Sequence, residues 1–116
     1  MSTRVSVLDL YNTGWTFIAP GAFSKFKNLT RLLIGGNKLD YSALGPVFSV
    51  TTLETVDVRC WGLGLVPSGL FGRYPIPVLK YLDLSFNEIR QLNMPVFQPL
   101  RRLSHILLWE SELGVL

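Results

Sequence analysis

The sequence predicts an α/β-type solenoid in which short strands line up in one parallel sheet and are joined by loops and 3-10 turns. Three observations predict it. One apolar pattern restarts at Val5, Leu29, Leu53, Leu79 and Leu103, so the register advances by 24, 24, 26 and 24 residues. Within each copy the first, fourth and sixth positions are aliphatic, and the last two of these alternate with polar or mixed residues, which is the period of a strand buried on one side. A second recurrence lies downstream, where Ile18, Val66 and Leu92 share one place and Phe23, Phe71 and Phe97 another. A unit this small cannot bury its own apolar face and gains a core only by stacking on its neighbours.

The elements follow in chain order. Val5-x-x-Leu8-x-Leu10-x-x-Thr13-x-Trp15 opens the array, and Leu29-x-x-Leu32-x-Ile34-x-x-Asn37-x-Leu39 states the pattern in full. Leu53-x-x-Val56-x-Val58-x-x-Trp61-x-Leu63 varies it, Leu79-x-x-Leu82-x-Leu84-x-x-Asn87-x-Ile89 restores it, and Leu103-x-x-Ile106-x-Leu108-x-x-Ser111-x-Leu113 begins a last unit. The units are therefore 5–28, 29–52, 53–78, 79–102 and a partial 103–116, all in one domain spanning 1–116. Strands repeating at constant advance pair in parallel, giving a sheet of about five strands.

The ninth position ends each strand. Asparagine suits it, because a buried amide satisfies main-chain groups that the turning chain leaves unpaired. Asn37 and Asn87 meet the requirement. Thr13 and Ser111 are weaker substitutes, and Trp61 offers only one indole donor, so a local disturbance is expected at the middle coil. The recurring phenylalanines predict an apolar seam on the back. The second unit departs from this rule, with Ser42 where an aliphatic belongs and Val47-Phe48 at the aromatic position, which predicts an irregular return. Pro20, Pro67, Pro75, Pro77 and Pro95 exclude long helices there, and the two extra residues of the third unit fall near Tyr74-Pro75-Ile76-Pro77.

Composition narrows the class. Hydrophobic residues make up 48% of the 116 and charged residues 16%, which places the chain among packed proteins rather than disordered ones. No stretch reaches the roughly 18 apolar residues of a membrane span, and Met1 to Leu10 lacks the apolar run and cleavage site of a signal peptide. A net charge of +3 says little about partners, and the basic residues at the returns, without alternating aromatics and a groove, give no case for nucleic acid. One cysteine, Cys60, excludes an internal disulfide and a multi-cysteine zinc site. No cofactor is expected.

These residues resemble the leucine-rich repeat family. Ile18 to Phe26 (I-x-P-G-A-F-x-x-F) and Val66-Pro-Ser-Gly-Leu-Phe71 are similar to the 24-residue "typical" class of extracellular receptors and matrix proteins. Leu82-Asp-Leu-Ser-Phe-Asn-Glu-Ile89 resembles the strand and turn of Toll-like receptor ectodomains. The resemblance implies a horseshoe segment with the sheet on its concave side and a non-enzymatic role in recognising a protein or other macromolecular ligand. It also implies a place outside the cell or on its surface, within a longer parent acting in innate immunity or development. Such arrays carry cysteine-rich caps. None is present here, so the chain is expected to be a fragment whose open ends meet neighbouring repeats or another copy. A structural spacer and an intracellular scaffold of the same fold are the alternatives.

The solvent-facing strand positions form columns in which function would reside. Asp9, Leu33, Asp57, Asp83 and Leu107 make the middle one, with His105 offset beside it and Arg31 and Arg59 near enough to balance the acids. No phosphate loop, oxyanion device or nucleophile with an adjacent base accompanies them, so they read as solvated sheet residues and not as a catalytic set. Tyr11, Tyr81, Phe86 and Trp109 flank that column. Aromatics and arginine dominate protein interfaces, and the expected ligand-binding set is Arg31, Leu33, Asp57, Arg59, Tyr81, Asp83, Phe86, His105 and Trp109. Asn28-Leu29-Thr30 matches an N-glycosylation acceptor at the rim.

Overall fold

A computed structural model describes residues 4–111, and Leu113 of the last apolar pattern lies outside them. Five three-residue strands form one sheet in chain order: β1 (Val7–Asp9), β2 (Arg31–Leu33), β3 (Thr55–Asp57), β4 (Tyr81–Asp83) and β5 (His105–Leu107). Every pair is parallel. The register is the one the leucine pattern predicts, aligning Leu8, Leu32, Val56, Leu82 and Ile106. Main-chain hydrogen bonds continue past the strands into the turns, as in Gly36 N to Arg59 O (2.8 Å) and Phe86 N to Trp109 O (2.7 Å). The ordered face therefore extends about four residues beyond each strand's midpoint.

Leu29, Leu32, Ile34, Leu53, Val56, Val58, Leu79, Leu82 and Leu84 are all buried behind the sheet. Each such side chain stabilises the stack by about 1.5–3 kcal/mol relative to exposure, and none could be buried within a single coil. The back of the stack is sealed by the expected aromatic seam. Phe71 meets Phe97 in a stacked arrangement with centroids 5.9 Å apart and meets Phe48 edge-on at 5.1 Å.

The expected irregularity of the second return does not occur. It is instead the most helical of the returns, with a 3-10 turn at Tyr41–Ala43 running into helix α1 (Leu44–Phe48). Asp40 starts it by accepting from Ser42 N at 2.9 Å, so Ser42 belongs to a helix start and needs no burial. Val47 and Phe48 both enter the core. The third return holds a single helical turn, α2 (Leu70–Arg73), and the fourth a 3-10 turn at Met94–Phe97. The two extra residues near Tyr74 leave Ile76 buried at 1% exposure, so the insertion adds a core contact as well as a bulge.

The two asparagines hold the turns of the coils before them. Asn37 Oδ1 accepts from Thr13 N and Trp15 N at 3.0 Å, while its Nδ2 donates to Leu10 O and Ile34 O. Asn87 repeats this for Trp61 N and Leu63 N, donating to Val58 O and Leu84 O. At the middle coil the indole of Trp61 takes over with one bond, Nε1 to Ile34 O at 3.0 Å. The disturbance there is confined to the turn, since β2, β3 and β4 keep an unbroken register. Tyr41 adds a second tie across this junction, its hydroxyl accepting from Gly64 N and Leu65 N.

Candidate functional site on the concave sheet

Three columns of side chains stand on the solvent face. Val7, Arg31, Thr55, Tyr81 and His105 form the first, and Asp9, Leu33, Asp57, Asp83 and Leu107 the second. Tyr11, Gly35, Arg59, Ser85 and Trp109 continue the face just past the strands, two residues beyond the second column. The geometry centres on Arg59. Its Nε lies 2.9 Å from Asp57 Oδ2 and 3.5 Å from Asp83 Oδ2, and its guanidinium carbon is 5.0 Å from the centroid of the Tyr11 ring. Four side chains from coils one, three and four thus share one cluster, in which a single guanidinium faces two carboxylates.

Burial sets the electrostatics. Asp57 is 6% exposed, and this desolvation pushes its carboxyl above the usual carboxylate range. The neighbouring Asp83 charge pushes the same way, while the main-chain hydrogen bond and positive charge of Arg59 oppose it. Burial disfavours the charged form of Arg59, but the attraction of Asp57 and then Asp83 outweighs it, and the guanidinium is held more firmly protonated. The arginine is thereby fixed between two acids and a ring.

Gly35 makes this arrangement possible. A Cβ there would lie 2.8 Å from Asp57 Oδ1, 3.0 Å from Tyr11 Cε2 and 3.1 Å from Arg59 N. The backbone of coil two is bare where the carboxylate of coil three folds across it. Nothing in the leucine pattern requires glycine at this position, and only the Gly35-Gly36 pair itself hints at a close approach.

The aspartates also have a local duty that spacing alone did not reveal. Asp9 accepts from Tyr11 N at 3.1 Å, Asp57 from Arg59 N at 2.9 Å and Asp83 from Ser85 N at 2.9 Å. Each carboxylate satisfies the main-chain amide two residues on, which ends the strand as an Asx turn does. Ser85 passes the pattern forward, its hydroxyl accepting from Trp109 N.

Of the remaining expected residues, Tyr81 and His105 stack with centroids 4.2 Å apart and planes within 3°. His105 Nδ1 lies 2.9 Å from Ser104 Oγ, so the histidine belongs with Tyr81 and Ser104 and not with the carboxylates. Arg31 is exposed in the first column and makes no ion pair among the described residues, leaving Arg59 alone to balance the acids. Leu33 is partly exposed. Phe86 is 50% and Trp109 69% exposed, and Phe86 has φ 58°, a left-handed conformation that costs a bulky residue free energy. Cys60 occupies the equivalent place one coil earlier, also exposed and with φ 61°. Among the described residues, no three His, Cys, Asp or Glu side chains gather in a group able to hold a metal ion. No helix among them is long and apolar enough to cross a membrane.

Comparison with known proteins agrees with this architecture. Residues 78–100 match the family profile described as Leucine Rich Repeat. Podocan of Mus musculus is 32% identical over 108 residues, covering 91% of this chain and 17% of podocan. Among solved structures, the leucine-rich repeat domain of APL1B superposes with a TM-score of 0.80 at 22% identity, over 97% of this chain and 33% of that one. A chain of the Toll–Spatzle complex of Drosophila superposes with a TM-score of 0.75 at 19% identity, over 88% of this chain and 13% of that one. The chain therefore spans less than a fifth of podocan and a third of the APL1B chain. With the repeat register, the five-stranded parallel sheet and the asparagine turns all in place, the chain belongs to the leucine-rich repeat family.

Proposed function

We propose that this chain is a non-enzymatic recognition segment of an extracellular or cell-surface leucine-rich-repeat array, of the kind found in Toll-like receptor ectodomains, and that it binds a protein through its concave sheet. The observation that carries this reading is the fixed Arg59 cluster flanked by exposed aromatics. Tyr11 and Trp109 lie in the column of Arg59, and the Tyr81–His105 stack lies in the first column across the strands. Aromatic area held by a rigid sheet loses little entropy on contact, and a charge pair already ordered within one partner need not be ordered again on binding. The likeness to podocan and to Toll, which is seen in complex with Spatzle, supports both the extracellular placement and a protein partner.

A spacer role is the second reading, favoured by the strand-ending bonds of Asp9, Asp57 and Asp83. The two separate in a binding experiment. The full chain is screened against secreted and cell-surface proteins, and any partner is measured again with Tyr81→Ala, Trp109→Ala and, on the return side, Arg73→Ala. Recognition through the sheet requires the first two to weaken binding at least tenfold, about 1.4 kcal/mol, and the third to leave it unchanged. Unchanged affinity in Tyr81→Ala and Trp109→Ala refutes it.

A further inference from the structure

Asn28 lies on the turn that leads into β2, at the edge of the sheet opposite the asparagine turns, and is exposed. Its side chain makes no hydrogen bond among the described residues, in contrast to Asn37 and Asn87, whose amides are fully engaged. The repeat pattern gives it no structural duty either. The equivalent places one, two and three coils on hold Thr52, Val78 and Arg102, so no amide is needed here to close the turn. An acceptor sequence, Asn-Leu-Thr, therefore coincides with an asparagine whose side chain the fold leaves unengaged; Asn12 and Asn93 are likewise unengaged among the described residues but head no such triplet, and Asn28 heads the single one in the sequence.

The surroundings suit a sugar. Beside Asn28 runs a groove of about 250 Å³ between the first and second coils, lined by Phe23, Phe26, Lys27, Val50, Thr51 and Thr52 among others. Phe26 precedes Asn28 by two residues, is partly buried against the core and lines that groove. The apolar C–H face of a pyranose packs on an aromatic ring, while its hydroxyls suit Lys27 on the wall of Phe26 and the threonines on the facing wall.

We infer that Asn28 is an N-glycosylation site whose first N-acetylglucosamine rests against Phe26 at the mouth of this groove. The inference rests on the extracellular reading, since the donor, a lipid-diphosphate-linked oligosaccharide, and its transferase act in the secretory pathway. In the transfer Asn28 Nδ2 forms a bond to the anomeric carbon of the first sugar. The bond from that carbon to the diphosphate oxygen breaks, the lipid diphosphate leaves with the bonding electrons, and one amide proton is lost to base. No redox partner is required. The glycan stands at the strand-entry edge, clear of Arg59, Tyr81 and Trp109, and leaves the concave face open.

The full chain, translated behind a cleavable leader in the presence of endoplasmic-reticulum microsomes, tests the site without requiring secretion. The expected result is one glycan per chain, removed by an endoglycosidase and absent from both Asn28→Gln and Thr30→Val, while Thr30→Ser retains it. A chain that stays unmodified in the microsome lumen overturns the site. Because the leader forces entry, that failure is distinct from a failure of the extracellular reading, which shows instead as a native parent that never enters the secretory pathway. The sugar's seat is read by comparing the glycosylated full chain before and after endoglycosidase trimming to a single N-acetylglucosamine, using proton shifts of Phe26. Shifts displaced relative to Asn28→Gln in both glycoforms support the contact with the first sugar, and identical shifts refute it.

Discussion

Replacing Gly35 by alanine is the sharpest test of how the concave cluster is built. The backbone at Gly35 is outside the left-handed region, so alanine meets no conformational penalty and the effect is steric. Three atoms crowd the new methyl, and they differ in how far they can yield. Arg59 N is main chain, in a coil whose next carbonyl is tied to Gly36 N at 2.8 Å, and cannot retreat without disturbing the ladder. The Asp57 carboxylate, at 2.8 Å from the added carbon, is well inside the 3.4 Å at which ordinary contact begins, so it must swing away. That movement breaks its bonds to Arg59 N and Nε, both at 2.9 to 3.0 Å, and leaves a nearly buried charge less well paired. Overpacking of this kind costs about 1–3 kcal/mol, and the loss of a charge-assisted bond about as much again, so Gly35→Ala is expected to destabilise the chain by about 2–4 kcal/mol. Gly72→Ala is the control, because no atom lies within 4 Å of its added methyl and α2 gains a better helix former. It should be neutral or stabilising by up to about 1 kcal/mol. Urea unfolding followed by circular dichroism reads both. Gly35→Ala should lower the midpoint by about 1 M or more, and a midpoint equal to that of Gly72→Ala would refute the close-approach argument.

Two further outcomes follow from the same bonds. Asn87→Ala strips the buried amides of Trp61 and Leu63 of their acceptor and should cost about 3 kcal/mol or more in the same urea assay; a loss below about 1 kcal/mol would mean that water or a shifted turn replaces the side chain. The carboxyl titrations of Asp57 and Asp40 should fall on opposite sides of the ordinary value of 3.8, Asp57 above it because of burial and Asp40 below it because of its hydrogen bonds from Ser42. Their contributions to stability then have opposite signs. As pH rises from 3.8 through the elevated folded value, Asp57 makes the fold less stable, since the folded state holds its proton longer; Asp40 contributes stability above 3.8 that is lost as pH falls through its depressed value. Carbon-detected magnetic resonance of the side-chain carboxyls checks the order, and a reversal would undo the burial argument.

The parts of the molecule that obey the repeat were legible in the chain. Leu32, Val56 and Leu82 fix the strand register by period-2 spacing alone, and Asn37 and Asn87 announce their turns because no other side chain offers donors and an acceptor at that reach. Where the chain departs from the repeat, the reading weakened. Ser42 looked like a missing core aliphatic, although Asp40 two residues earlier marks it as a helix start. Arg31 and Arg59 were equally placed by spacing to neutralise the acids. The choice of Arg59 depends on Asp57 folding over a bare backbone at Gly35, a relation between three coils that no one-dimensional pattern contains. His105 pairs with Tyr81 because those two are aligned across β4 and β5, a ring contact that its place beside the aspartate column does not announce.

Each asparagine turn gives the solenoid a direction in time. The amides of Thr13 and Trp15 are completed by Asn37, which lies 24 and 22 residues later, and those of Trp61 and Leu63 by Asn87, 26 and 24 residues later. A ribosome delivers the chain from its N-terminus, so a finished strand must wait with its turn unsatisfied until the next coil has emerged. At these two turns each coil is therefore completed only once the next one is in place. A chain cut just short of Asn37 or Asn87 would leave the amides of Thr13 and Trp15, or of Trp61 and Leu63, without their acceptor and exchanging with water.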